Sequence, residues 1–200
     1  MFKAQADILS AVIIVVLALA LTSAALLWGF PLIEKRQDTA LVARVNNAFN
    51  QDLPAKITHV ADVGGSLTFS MDVDGIWSLN ETNNTISFTF FSRATDKGLN
   101  QWIGEGCPFE GQSGTMGISK PYVLCVFVSQ IGSGFNITYQ LGFRELTSDG
   151  TRGYKIVLVK PAGGVSASTG KNILITRSSI NQIPSVGQKT LITTEIEILL

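Results

Sequence analysis

Charge is scarce in this chain: 15 basic and 15 acidic residues among 200 leave a charged content of 15% and no net charge. Without a basic face there is nothing to hold a phosphate backbone, so nucleic acid is not an expected partner. Histidine occurs once, as His59, which is a poor basis for a catalytic triad or a metal centre. The two cysteines, Cys107 and Cys125, are too few for a structural zinc site. In an exported protein they are expected to pair, at about 3 kcal/mol by loop entropy; otherwise they are buried thiols. Signatures of catalysis are missing as well. Gly111-Gln112-Ser113-Gly114 has Thr115 where a nucleophile elbow needs glycine. The stretch from Gly164 to Gly170-Lys171-Asn172 has one residue too many between its glycines for a phosphate loop, and Asn172 stands where Ser or Thr would hold magnesium. Asp72-Val73-Asp74-Gly75 offers two carboxylates without the loop pattern of a calcium site. No catalytic, cofactor-binding or metal-ligating residue is assigned, and an enzyme is not expected.

What the chain has in abundance is apolar side chains, and they are unevenly spread. From Ile8 to Ile33 no residue is charged. As a helix, the run from Ile8 to Phe30 would be about 34 Å long, enough to cross a hydrocarbon core of about 30 Å. Its apolar residues lie on every side, so it must be buried in lipid or in protein. Small residues recur along it (Ser10, Ala11, Ala18, Ala20, Ser23, Ala24, Ala25) and permit close helix packing. Trp28 near its end suits a membrane interface. A secretory signal peptide would have a shorter apolar core and a basic start without Asp7, although Thr22-Ser23-Ala24-Ala25 could serve as its cleavage site. An uncleaved signal anchor is a second reading.

The third reading rests on Lys3-Ala4-Gln5, a short polar stretch and then the long apolar helix. This order resembles the class III signal sequence of archaeal type IV pilins and archaellins. The resemblance implies a signal peptide of residues 1–4, removed by a prepilin peptidase between Ala4 and Gln5. The apolar helix would stay on the mature protein, with Asp7 third in line to offset the new terminal amine. A carboxylate near a helix N-terminus is favourable in any case. Leu9 occupies the fifth mature position, where many members carry Glu. Archaellins commonly open with a glycine-rich motif that Gln5-Ala6-Asp7-Ile8-Leu9 does not match, which tilts the resemblance toward a pilus.

Pro31 predicts a kink or break. Beyond it, residues 32–52 turn amphipathic, with Leu41, Val45, Ala48 and Phe49 on one helical face. Pro54 predicts the end of the helix by Asp52; the resemblance then implies that 5–53 is one pilin-type helix and 54–200 one extracellular β-domain. From about Lys56 the period changes to two. Leu67, Phe69, Met71 and Val73 share one strand face, as do Ile86, Phe88 and Phe90, and Ile137, Tyr139, Leu141 and Phe143. Residues 122–129, 153–160, 172–177 and 190–200 are further strands. Asp74-Gly75, Gly132-Ser133-Gly134, Asp149-Gly150 and Gly163-Gly164 mark turns. The expected fold is α+β: a long N-terminal hydrophobic helix followed by an antiparallel β-sandwich, Ig-like or barrel-like. Three sequons, at Asn80, Asn83 and Asn136, are potential glycosylation acceptors if the domain is extracellular.

The resemblance implies a homopolymer of identical subunits, held by Asp7, Ile8, Val12, Val15, Leu19, Ala24 and Trp28 of the helix. Each subunit would sit in the cytoplasmic membrane before the assembly machinery moves it into an extracellular filament for surface attachment. The alternative is a single-pass, membrane-anchored binding protein that does not polymerise.

Overall fold

The computed structural model describes residues 2–148, 152–184 and 190–200, with no side chains for 2–10, 183 and 184. The chain is α+β. Helix α1 (Phe2–Asn47) leads through a π-helical turn (Ala48–Asp52) into α2 (Leu53–Val63). Among the described residues twelve strands follow: β1 (Ser66–Ser70), β2 (Ile76–Asn80), β3 (Thr85–Ser92), β4 (Trp102–Ile103), β5 (Gly114–Thr115), β6 (Tyr122–Ile131), β7 (Gly134–Phe143), β8 (Leu146–Ser148), β9 (Arg152–Val159), β10 (Ala167–Ser168), β11 (Asn172–Pro184) and β12 (Thr190–Leu199).

Of the kink or break expected at Pro31, the break does not occur: the helix runs through it. A proline inside a helix removes one hydrogen bond, a loss that a helix continuing on both sides survives. The helix also runs past Asp52 to Val63, so the segment read as the start of the β-domain is helical and His59 lies on α2, not at a strand. Pro54 falls in the first turn of α2, where a missing N–H costs nothing. The Leu53 N–H reaches back five residues to the Ala48 carbonyl. That wider turn absorbs one residue, so Val45, Phe49, Leu53 and Ile57 all stay on the buried face.

The strands form two six-stranded sheets, ordered β1-β11-β12-β9-β8-β5 and β10-β2-β3-β7-β6-β4. Each keeps its own edges, so the barrel alternative is excluded. The second sheet is antiparallel throughout. In the first, β12 pairs with β9 and β5 with β8 in parallel, a departure from the expected antiparallel sandwich. Period-two alternation fixes which side chains face inward but not the direction of the neighbouring strand.

The inward faces are those the alternation predicts. Ile86, Phe88 and Phe90, then Ile137, Tyr139, Leu141 and Phe143, are all buried, as are Phe69, Met71 and Val73. Ile156, Leu158, Ile173, Ile175, Ile196 and Ile198 line the first sheet. The helix tail joins this core. Phe49 meets the rings of Trp77 and Tyr139 at 5.7 and 5.6 Å. On the other side α2 packs on β1, β11 and β12. Arg177 of β11 caps α2, donating to the carbonyls of Ala61 and Asp62, with Gly64 at φ +90° turning the chain. A Cβ on Gly64 would meet that guanidinium at 2.4 Å. Asp149-Gly150 lies outside the described residues.

Candidate functional site

The feature that most needs a partner is the first half of α1. Fourteen large apolar side chains between Val12 and Ile33 are exposed, among them Val12, Val15, Leu19 and Trp28; Ala24 is exposed as well. None of the most apolar window is covered by the rest of the chain. Covering those side chains would release about 20 kcal/mol or more, which exceeds the typical net stability of a domain, about 5–15 kcal/mol. Water is therefore not this helix's final environment. The helix is equipped to leave it, since the Thr22 hydroxyl donates to the Ala18 carbonyl at 2.8 Å and carries no unmet donor into an apolar medium. Lys3, Ala4, Gln5, Asp7 and Ile8 lie on α1, but their side chains are outside the described residues.

Burial begins at Val42, and between the bare and buried parts runs an ionic clasp. Arg93, just after β3, pairs its guanidinium with Glu34, and its backbone N–H donates to Asp38 Oδ2 at 2.9 Å. Exposed pairs of this kind contribute little to stability. They mark a second side on which the helix meets the domain. Next to the clasp is a groove of about 500 Å³, lined in part by Lys35, Asn46, Arg93, Lys97 and Tyr139. The Tyr139 hydroxyl donates to Asn46 Oδ1 at 3.4 Å. Burial, and secondarily the charge of Asp96, pushes its pKa up from 10.0 to about 12.

The other residues singled out in the sequence fall at separate places. Cys107 and Cys125 form a disulfide with Cα atoms 5.6 Å apart, which fastens the loop after β4 onto β6. Phe109 and Val123 pack around it, beside Trp102. Asn80 and Asn83 share the exposed β2–β3 turn, where Asn80 Oδ1 accepts the Asn83 N–H at 3.0 Å. Asn136 is half-buried within β7, opposite Phe91 and Ser129. Asp72 and Asp74 face Lys171, at 3.8 and 3.2 Å. Among the described residues no group of three metal-ligating side chains converges.

One residue was invisible in the sequence except as the middle of a sequon. Asn84 is buried at φ +55° and ties the sheets together. Its Nδ2 donates to the carbonyls of Phe143 on β7 (2.8 Å) and Ile156 on β9 (2.7 Å), and its Oδ1 accepts the Leu158 N–H at 2.7 Å. No protein family, curated protein or solved structure matches the chain.

Proposed function

We propose that the chain is a structural subunit of an archaeal type IV pilus-like extracellular filament, used in surface attachment and polymerised through its N-terminal helix. On this reading a prepilin peptidase cuts after Ala4, and the subunit waits in the cytoplasmic membrane before assembly. In the filament the helices of sister subunits cover one another, and the two-sheet domain, an Ig-like sandwich on this reading, forms the shell. One observation carries the proposal: a helix bare on every side over 11–33 continues unbroken into the core of the β-domain. Moving such a helix from lipid to protein gains little hydrophobic free energy, so packing at the small residues must supply the specificity. The disulfide and the two exposed sequons support an extracellular site for the domain.

The same helix would also anchor a monomeric binding protein, and three measurements separate the readings. Mass spectrometry of the mature chain should begin at Gln5; a start near Ala25 overturns the proposal. Shearing should release filaments that contain the chain and pellet without membranes, whereas an anchored monomer stays with detergent-extractable membrane. Val15→Asp places a carboxylate on the exposed helix and should abolish filaments while leaving the distant β-domain folded. Filaments at the wild-type yield would refute polymerisation through this helix.

A further inference from the structure

Every strand of the second sheet is free of charge: no Asp, Glu, Lys or Arg occurs in β10, β2, β3, β7, β6 or β4. The charges nearest in sequence, such as Asp74, Glu81, Arg93, Lys120 and Arg144, all lie beyond the strand ends. The first sheet differs, with Arg152, Lys155, Arg177, Glu195 and Glu197 in its strands. Since most large apolar side chains of the second sheet point inward, its outer face carries the alternate positions. Hydroxyls and amides (Ser78, Ser87, Thr89, Ser129, Asn136 and Thr138) share this face with the apolar Ile76, Phe91, Phe127 and Ile131. A solvated surface ordinarily mixes charges of both signs, so this face is matched to something other than bulk water.

Part of the face is already covered. The disulfide holds Cys107 and Phe109 over Cys125 and Val123, and the missing side chain of Gly142 leaves room for the Phe109 ring. Beyond that flap the face is open and has aromatic platforms. Phe91 is 50% exposed. A Cβ on Gly134 would fall 2.3 Å from the Phe91 ring, so glycine there is what lets the ring lie down on β7. Across the sheet, beside the flap, Trp102 packs against Phe127 with ring centres 5.2 Å apart. Between them the Thr89 and Thr138 hydroxyls share one hydrogen bond of 2.9 Å, leaving one of their two donors unused.

Size and charge select the occupant. Four strands about 4.8 Å apart, open over about six residues each, give roughly 400 Å². A stable protein partner uses about 800 Å² on each side, so a second copy of the chain gains too little here. Without charge the face has no means of selecting an anionic or cationic polymer. We propose that it binds a neutral polysaccharide. Ser, Thr and Asn side chains exchange hydrogen bonds with sugar hydroxyls, and Phe91 and Trp102 meet the apolar faces of sugar rings. This inference does not rest on polymerisation, because each β-domain carries the complete face.

The test uses the full chain in detergent micelles, pulled down on microcrystalline cellulose, on amylose resin and on heparin–agarose, with empty micelles as blank. Retention is expected on at least one neutral matrix and should persist at about 1 M salt, where exposed ionic contacts are screened. Phe91→Ala and Thr89→Lys should each weaken retention about tenfold or more, while Glu197→Gln on the other sheet leaves it unchanged. If Thr89→Lys does not fold, as judged by loss of a cooperative urea-unfolding transition, Ser129→Lys on β6 replaces it. Failure on both neutral matrices, retention on heparin alone, or full retention by both variants overturns the proposal. Self-association of the wild type that these variants abolish, with no polysaccharide bound, assigns the face to a second copy and also overturns it. Filament yield, measured separately, reports on the proposed assembly and not on this face.

Discussion

Replacing Asn84 with alanine should nearly unfold the β-domain, although the residue sits in a turn that looks like ordinary surface. The substitution removes three buried hydrogen bonds and strands the carbonyls of Phe143 and Ile156 and the N–H of Leu158. A buried polar group left without its partner costs about 1–3 kcal/mol. The left-handed backbone at φ +55° adds about 1 kcal/mol for a residue with a Cβ and no local compensation. Together these give about 4–10 kcal/mol, a large share of a domain's usual 5–15 kcal/mol. Asn84→Gly should lose about 1 kcal/mol less, because glycine relieves the backbone but not the stranded groups. Asn84→Asp keeps the acceptor for Leu158 but turns a second acceptor toward two carbonyls, so it should fare no better than alanine. The assay is urea unfolding of the full chain in micelles, followed by the fluorescence of buried Trp77. A loss below about 1 kcal/mol for Asn84→Ala would refute the inter-sheet role, and equal losses for Ala and Gly would refute the backbone contribution alone.

Removing the disulfide with Cys107→Ser and Cys125→Ser should cost about 3 kcal/mol and expose the segment around Phe109 to protease before the rest of the domain; an unchanged cleavage pattern counts against the flap. Raising the pH tests the burial of Tyr139. Its pKa is raised from 10.0 to about 12, so the folded state holds a proton that the unfolded chain has already lost. Stability should be intact below about pH 10 and fall by about 2–3 kcal/mol as pH rises through about 12. Tyr139→Phe should remove that slope, and an identical alkaline slope in the variant would sink the assignment. Inserting Gly-Ser-Gly-Ser after Ile33 should abolish filaments while leaving the chain at the cell surface; filaments at normal yield would show that the rigid junction is dispensable.

Much of the fold was legible because alternation survives in strands with one wet face. Ile86-Phe88-Phe90 and Ile137-Tyr139-Leu141-Phe143 announce their buried sides directly. Phe69, Met71 and Val73 share a side as their spacing predicts, and that side is buried, although the chain has left β1 at Ser70 and Leu67 is only half-buried. The end of the helix misled because Pro54 carries two meanings, a stop or a first-turn residue. The periodic set Leu53, Ile57, Val60 and Ala61 favoured the second. β2 was missed because five residues with only Trp77 and Leu79 inward give a weak period. Parallel pairing and the Asn84 tie are properties of distant segments meeting, and no local pattern encodes them. Conversely, the charge-free strands were printed in the sequence, but their importance depended on knowing that all six belong to one sheet.

The bare helix and its junction place different demands on the protein. Its length and apolarity require only burial, and lipid satisfies that as well as sister helices do. An anchor needs nothing more than a span and a flexible tether, for which α1 could end near Ile33. Here the helix continues for a further four turns before burial is complete, meets Arg93 at Glu34 and Asp38, and then places Val45, Phe49, Leu53 and Ile57 in the core. Changing the angle between helix and domain would mean pulling Phe49 away from Trp77 and Tyr139, at about 3–5 kcal/mol for the ring alone. A monomer in a membrane gains nothing from that stiffness. A helical polymer repeats every subunit's angle along its whole length, so an error at this junction would accumulate with each added copy. The rigid junction, more than the apolar run that first draws attention, is what favours the proposed filament over a simple anchor.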